Sequence, residues 1–231
     1  MASLKLNKYA LALHTTSPQL GLAISNFADH NRCQTWDLGR DLSSQLHQHL
    51  VDFIKPQTWE DLEFIAVAKG PGSFTSTRIG MVTARTLAQQ LDIPLLAIST
   101  LAAFAWLKAQ EMGQWGEFSL TNPGETINIE PFKTTMALQM PAQRGQLFTA
   151  IYQVSSASSS LIELQADAVM MPDIWQEALH ALEMPYQLLE VPVNLGSSVI
   201  SLLGLASLDW QQGKRPQWSE ALPFYGQHAI N

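Results

Sequence analysis

Cysteine is almost absent from this chain, with Cys33 the only one. A single thiol excludes an internal disulfide and a zinc site built on cysteines, and it suits a reducing compartment. Charge is scarce too, at 14% of residues against 46% hydrophobic. That balance excludes a largely disordered chain and leaves much of the surface neutral. Basic residues are outnumbered by acidic ones and the formal charge is −7, so the broad positive field that draws proteins to nucleic-acid backbones is missing. Any part in RNA chemistry would therefore run through a partner. No apolar run approaches the roughly 18 to 20 residues of a membrane-spanning helix, and Met1-Ala2-Ser3-Leu4-Lys5-Leu6-Asn7 has no signal-peptide core. The expectation is a soluble, cytoplasmic protein without membrane contact.

What is present is enough chain, 231 residues, to bury a substantial core. Tyr9 to His14 and Leu20 to Asn26 are short apolar runs around the polar turn Thr15-Thr16-Ser17-Pro18-Gln19, which predicts a β-hairpin. A third strand near Cys33 to Leu38 makes a meander. Leu42, Leu46, Leu50 and Phe53 recur at helical spacing between Asp41 and Lys55, with Asp41 or Ser43 as cap and Pro56 closing the segment. Phe64 to Ala68 reads as a buried strand, Thr75 to Leu91 as a long helix, Leu95 to Ile98 as a strand and Thr100 to Gln110 as a helix. The order βββαβαβα predicts an antiparallel meander extended by parallel strands through helical crossovers.

Beyond residue 110 the pattern loosens. Residues 113–133 read as a linker or surface excursion, broken most clearly at Thr121-Asn122-Pro123-Gly124-Glu125. Strands are expected over Thr134 to Gln139, Leu147 to Val154 and Leu161 to Val169, with a serine-rich loop from Ser155 to Ser160. A helix follows near Asp173 to Leu182, and Leu195, Val199, Leu202, Ala206 and Trp210 mark one stripe of another that stops at Gly213. The domain reading is therefore an N-terminal lobe over 1–112 and a smaller C-terminal lobe over 134–231.

Lys69-Gly70-Pro71-Gly72-Ser73-Phe74-Thr75-Ser76-Thr77-Arg78-Ile79-Gly80 carries the most information, because it lies between a buried strand and a helix. Its glycines allow a sharp turn, Ser73 or Thr75 can cap the helix, and free amides at a helix start can hold an anion. An ordinary tight connection is the plainer account of the same residues. The segment is neither a P-loop, lacking Gly-Lys-Ser/Thr, nor a dinucleotide fingerprint, since Thr75 occupies the third glycine position.

His14-Thr15-Thr16-Ser17 sits where actin-like ATPases place a phosphate-facing loop. Together with the Gly70 to Thr75 turn and Ile93-Pro94-Leu95-Leu96-Ala97-Ile98, it resembles the TsaB (YeaZ) family, whose pattern is an Asp-Thr-Ser hairpin, a Gly-Pro-Gly-Ser-Phe-Thr-Gly-Leu-Arg-Ile-Gly segment and an Ile-Pro-Leu strand. The resemblance is strong over roughly residues 8 to 105 and thin afterwards; Ala221-Leu222-Pro223-Phe224-Tyr225 also looks like the family's terminal strand. It implies an α/β, actin-like ATPase fold (ASKHA, ribonuclease H-like), with two lobes that each carry a mixed sheet flanked by helices. It also implies a noncatalytic scaffold supporting N6-threonylcarbamoyladenosine formation at adenosine 37 of tRNAs reading codons that begin with A. The implied partners are a TsaD-type catalytic subunit and a TsaE-type ATPase, or a second copy of the chain. tRNA is then met only through the complex, and ATP or ADP and a metal belong to the partner subunits, with no cofactor or metal intrinsic to this chain.

Departures from the pattern weigh on mechanism. His14 replaces the family's Asp, Pro141-Ala142-Gln143 replaces Asp-Ala-Arg, and Ser76-Thr77 stands for Gly-Leu. The first two remove charge, which weakens any independent phosphotransfer. His47 and His49 are two apart on one helix and cannot share a metal. No residue is assigned a catalytic role; His14, Thr15, Thr16, Gly70, Pro71, Gly72, Ser73, Phe74 and Thr75 are candidates for anion-facing or docking loops. Gly80, Ala84 and Ala88 form a row of small residues on the Thr75 to Leu91 helix, which is apolar on more than one side. That row with Arg78, Met81 and Arg85 is the candidate partner interface; burial within its own lobe is the competing account. An actin-like ATPase or a glycoprotease-like (M22) peptidase is the alternative function, against which stand the missing carboxylate and the absence of a Gly-x-Ser-x-Gly elbow.

Overall fold

The computed structural model describes residues 4, 7–112, 133–155 and 160–226. The chain forms two compact units, one from Met1–Ala103 with Val193–Tyr225 and one from Phe104–Pro192 with Gly226–Asn231. In the first, β1 (Tyr9–His14), β2 (Gln19–Ser25) and β3 (Asn31–Asp37) make an antiparallel meander. α1 (Leu42–Ile54) leads to β4 (Leu62–Ala68), which lies parallel to β1, and α2 (Phe74–Leu91) leads to β5 (Leu95–Ile98), parallel to β4. The sheet order is β3-β2-β1-β4-β5. Strand alternation divides its two faces. Leu11, Leu13, Ile65 and Val67 pack with Leu46, Leu50, Met81 and Ala84 on the α1–α2 side. Ala10, Ala12, Ala23, Ala66 and Ala68 form the opposite face.

That alanine-rich face receives a helix from the far end of the chain. α3 (Thr100–Glu111) follows β5, and the division between the units falls within it. In the second unit β6 (Lys133–Pro141), β7 (Leu147–Ser155) and β8 (Ser160–Met170) form another meander; α4 (Pro172–His180) then leads to β9 (Tyr186–Glu190), parallel to β6. The βββαβ order of the first unit is thus repeated. α4 covers its sheet by packing Trp175 and Leu179 on Ala137 and Ile151, and Trp175 Nε1 donates to Gln139 Oε1 at 2.7 Å. α5 (Val199–Gln211) returns to the first unit, where Val199, Leu202, Leu203 and Ala206 lie on the small side chains of β1, β2 and β4.

The α/β architecture, with two mixed sheets flanked by helices, agrees with the sequence reading. Three particulars differ. Residues 193–225 do not join the 134–231 lobe, because the apolar stripe of α5 finds its complement on the alanine face of the first sheet. β9 was not expected, since four of its five residues are exposed and it lacks the alternation of a half-buried strand. Ala221 to Tyr225 is irregular rather than a strand; its recorded tie to the sheet end is the Phe224 N–H bond to the Lys69 carbonyl, 2.7 Å. Residues 113–132, which hold nearly all of the expected linker, and 156–159 of the serine-rich loop lie outside the described residues. Among the described residues no helix is long and apolar enough to cross a membrane.

Candidate functional site

β1 and β4 are neighbours and run parallel, so the segments leaving their C-terminal ends meet. Thr15-Thr16-Ser17 and Gly70 to Ser73 form one junction there. The Ser73 amide donates to the Thr16 carbonyl at 2.7 Å, and the Thr100 amide to the Gly70 carbonyl at 2.8 Å. Thr15 Oγ1 donates to the Ser76 carbonyl at 3.0 Å. Thr16 and Thr100 share a hydrogen bond of 3.1 Å between their hydroxyls. Ser17 Oγ accepts the Leu195 amide at 3.2 Å. Two glycines make this approach feasible: a Cβ on Gly72 would collide with the Thr16 carbonyl, and one on Gly80 with Thr15 Oγ1.

His14 is the last residue of β1, just before the junction. It is fully buried, neither ring nitrogen has a hydrogen-bond partner, and burial lowers its pKa from 6.5 to about 3. The ring is therefore neutral near pH 7. A magnesium-bound nucleotide needs carboxylate oxygens for the ion and free donors for the phosphates. At the strand end a buried neutral imidazole stands in place of a carboxylate for such an ion, and the loop donors named above are spent on the loops themselves. Among the described residues no group of three or more His, Cys, Asp or Glu could hold a metal.

At the start of α2 the Ser73 side chain makes no cap bond; its hydroxyl pairs with that of Ser76 at 3.1 Å, while its carbonyl accepts from both the Thr77 hydroxyl and amide. Thr75 points outward, as does Phe74, which is 51% exposed. Phe74 packs on Tyr225 with ring centroids 4.6 Å apart, and the Arg78 guanidinium lies 5.1 Å from the centre of the same ring.

The structure separates the expected interface residues. Gly80, Met81, Ala84 and Ala88 are buried inside their own unit, so the small-residue row admits not a second helix but Thr15 and the sheet. Arg78 is exposed, and Arg85 is half-buried with its guanidinium 5.6 Å from the Trp218 ring centre. The outward side of α2 instead carries Ile79, Val82 and Leu87, which with Leu50 and Val51 of α1 line a groove of about 600 Å³. Val82 is 62% exposed and Val51 46%. His47 also lines this groove, whereas His49 turns away to pack against Trp36, with ring centroids 4.6 Å apart and the planes tilted by 38°.

Comparison with known proteins bears on both features. A family model described as TsaD, tRNA N6-adenosine threonylcarbamoyltransferase, matches residues 47–114, a span that holds the α2 turn and most of the groove. The tRNA threonylcarbamoyladenosine biosynthesis protein TsaB of Bacillus subtilis (strain 168) is 32% identical over 141 residues, covering 61% of this chain and 52% of the relative. The chain is homologous to the TsaB proteins. TsaB of Escherichia coli (strain K12) is 29% identical over 122 residues, 53% of this chain and 44% of that one, so the chain spans about half the length of these TsaB relatives. In fold the likeness is wider. A crystal structure of an uncharacterized Pseudomonas aeruginosa protein with similarity to peptidase YEAZ superposes with a TM-score of 0.73 at 20% identity, covering 95% of this chain and 100% of that one. YeaZ from the same organism gives 0.71 at 19% identity, with 94% and 99% covered.

The resemblance to TsaB was legible in the Gly70 to Gly80 motif; the groove was not. Its outward residues, Val51, Ile79, Val82 and Leu87, are interleaved with the buried ones, and a helix apolar on two sides does not say which side meets its own sheet. The steric demand of Gly80 decides it.

Proposed function

We propose that this chain is a noncatalytic docking subunit in N6-threonylcarbamoyladenosine formation at adenosine 37 of tRNAs reading codons that begin with A, and that its α1–α2 groove binds a TsaD-type catalytic subunit. The homology to proteins named for tRNA threonylcarbamoyladenosine biosynthesis supports the pathway. The docking role rests on one observation: the loop junction is filled by its own backbone and hydroxyls, while the open concave surface beside it is apolar. An exposed apolar groove between two helices suits a helical partner surface.

On this reading ATP or ADP, the metal and the TsaE-type ATPase act on the catalytic partner, and this chain carries no cofactor of its own. A net charge of −7 supports contact with tRNA through the partner rather than directly, in the cytoplasm. The test is a reconstituted reaction with TsaD-type and TsaE-type proteins of the same organism, scored for threonylcarbamoyladenosine with this chain present, omitted, or carrying Val82→Asp. Loss of product on omission and with Val82→Asp is expected. Full product without the chain overturns the proposal.

A further inference from the structure

β5 ends the sheet of the first unit and pairs with β4 alone. The geometry points to its free edge as a binding slot for an extended peptide segment that carries a carboxylate and adds as a further strand. This site lies apart from the α1–α2 groove and does not depend on it. Along a strand, alternate residues turn both of their backbone polar groups to opposite edges. The Ile65 amide donates to the Pro94 carbonyl at 3.0 Å and the Lys69 amide to the Ile98 carbonyl at 2.9 Å. With Ile65 opposite Leu95, this pattern turns Leu96 and Ile98 toward β4, and Leu95 and Ala97 away from it. The outward Leu95 amide is covered, since it donates to the Pro216 carbonyl at 3.4 Å. The Leu95 carbonyl and both backbone groups of Ala97 have no hydrogen-bond partner among the described residues.

A slot of about 370 Å³ lies beside this edge, lined by Leu95, Ala97, Pro216, Leu222 and Lys69, all of the first unit. Pro216 bounds it at the Leu95 end, and Leu222, 65% exposed, gives it an apolar wall. The Lys69 backbone is pinned from two sides, by Ile98 and by the Phe224 amide at 2.7 Å, so its side chain enters the slot at the Ile98 end. Other charges in the walls are engaged: Lys214 pairs with Asp209 at 2.6 Å, and Glu220 Oε1 accepts the Gln217 amide at 2.9 Å. Lys69 has no carboxylate partner among the described residues. A row of backbone donors and acceptors on a strand edge recognises another backbone, because an extended chain offers the complementary row. A segment laid along β5 can donate to the Leu95 and Ala97 carbonyls and accept from the Ala97 amide. The Lys69 ammonium then selects a carboxylate at the Ile98 end.

The test follows backbone amides of the full chain by NMR, first alone in deuterated water and then with pooled synthetic peptides. The pool consists of blocked hexapeptides of alternating Thr and Val with one Asp at either end. Matched pools carry Lys in place of Asp, or a methyl group on every amide nitrogen. In the free chain the Ala97 amide should exchange about tenfold or more faster than those of Leu96 and Ile98. The acidic pool should shift the Ala97 amide saturably and slow its exchange. Binding should be about tenfold or more weaker for the Lys pool and for Lys69→Gln, and absent for the N-methylated pool. Ala97→Pro, which removes an edge donor and no internal bond, should abolish it as well, with melting to confirm that each variant folds. Val82→Asp, in the separate groove, should bind the peptides as the wild type does. An Ala97 amide as protected as its neighbours in the free chain, or unshifted by the acidic pool up to about 1 mM, overturns the inference. Equal binding by the N-methylated pool refutes strand addition, and equal binding by Lys69→Gln refutes the carboxylate preference. Loss of peptide binding in Val82→Asp would put the segment in the groove and overturn the edge site.

Discussion

Two surfaces made by the same helix have opposite character. At the start and inner face of α2, the Thr15 to Ser17 and Gly70 to Ser73 loops are pressed together until hydroxyls, amides and glycines fill the space. On its outer face, Val82 and Ile79 stand over a groove shared with α1. One region resembles a phosphate-holding loop in sequence and is closed by its own atoms. The other leaves no short motif in the sequence and is open. Glycine-rich loops are therefore poor evidence for a ligand until their donors are accounted for.

The contrast can be broken from the inside first. Gly80→Ala forces a Cβ against Thr15 with no flexible side-chain end to yield, and it should lower stability by about 3 kcal/mol in urea unfolding. His14 gives a pH-dependent effect. Its folded pKa of about 3 lies below the ordinary 6.5, so between those values the unfolded chain takes up a proton that the folded one refuses. Stability is then lost as pH falls through that window, by about 2 kcal/mol at pH ~5 relative to pH ~8. His14→Leu should remove this part of the slope in melts at the two pH values. An unchanged slope would mean that His14 is protonated in the fold.

Smaller effects sharpen the comparison. Thr16→Val leaves the Thr100 hydroxyl without its partner and should cost about 1 kcal/mol, read from the denaturation midpoint. Val82→Asp should change the stability of the isolated chain by no more than about 0.5 kcal/mol, because that side chain is 62% exposed. A large loss would mean that Val82 belongs to the core and not to a docking surface.

Much of the fold was legible because local signals and packing agreed. β1, α1, β4, α2 and β5 begin and end within about two residues of where periodicity, Pro56, Gly70 and Pro94 put them. The loop candidates from His14 to Thr16 and Gly70 to Ser73 do come together, as the parallel pairing of β1 and β4 requires. What stayed hidden depends on long-range partners. Gly80 looks like a helix-packing residue until Thr15, far away in sequence, is placed against it. The stripe of α5 says only that one side is buried, not which sheet buries it. Gln187 and Glu190 give β9 the look of a loop; its strand character comes from pairing with β6.

The return of α5 to the first sheet has a consequence for biosynthesis. During translation β1, β2 and β4 leave the ribosome long before Val199 to Gln211 does, so the alanine face lacks this cover while about 130 further residues are made. The first unit is thus closed by a helix made well after its strands. A nascent chain that has reached only residue 192 would still show that face to chaperones and proteases.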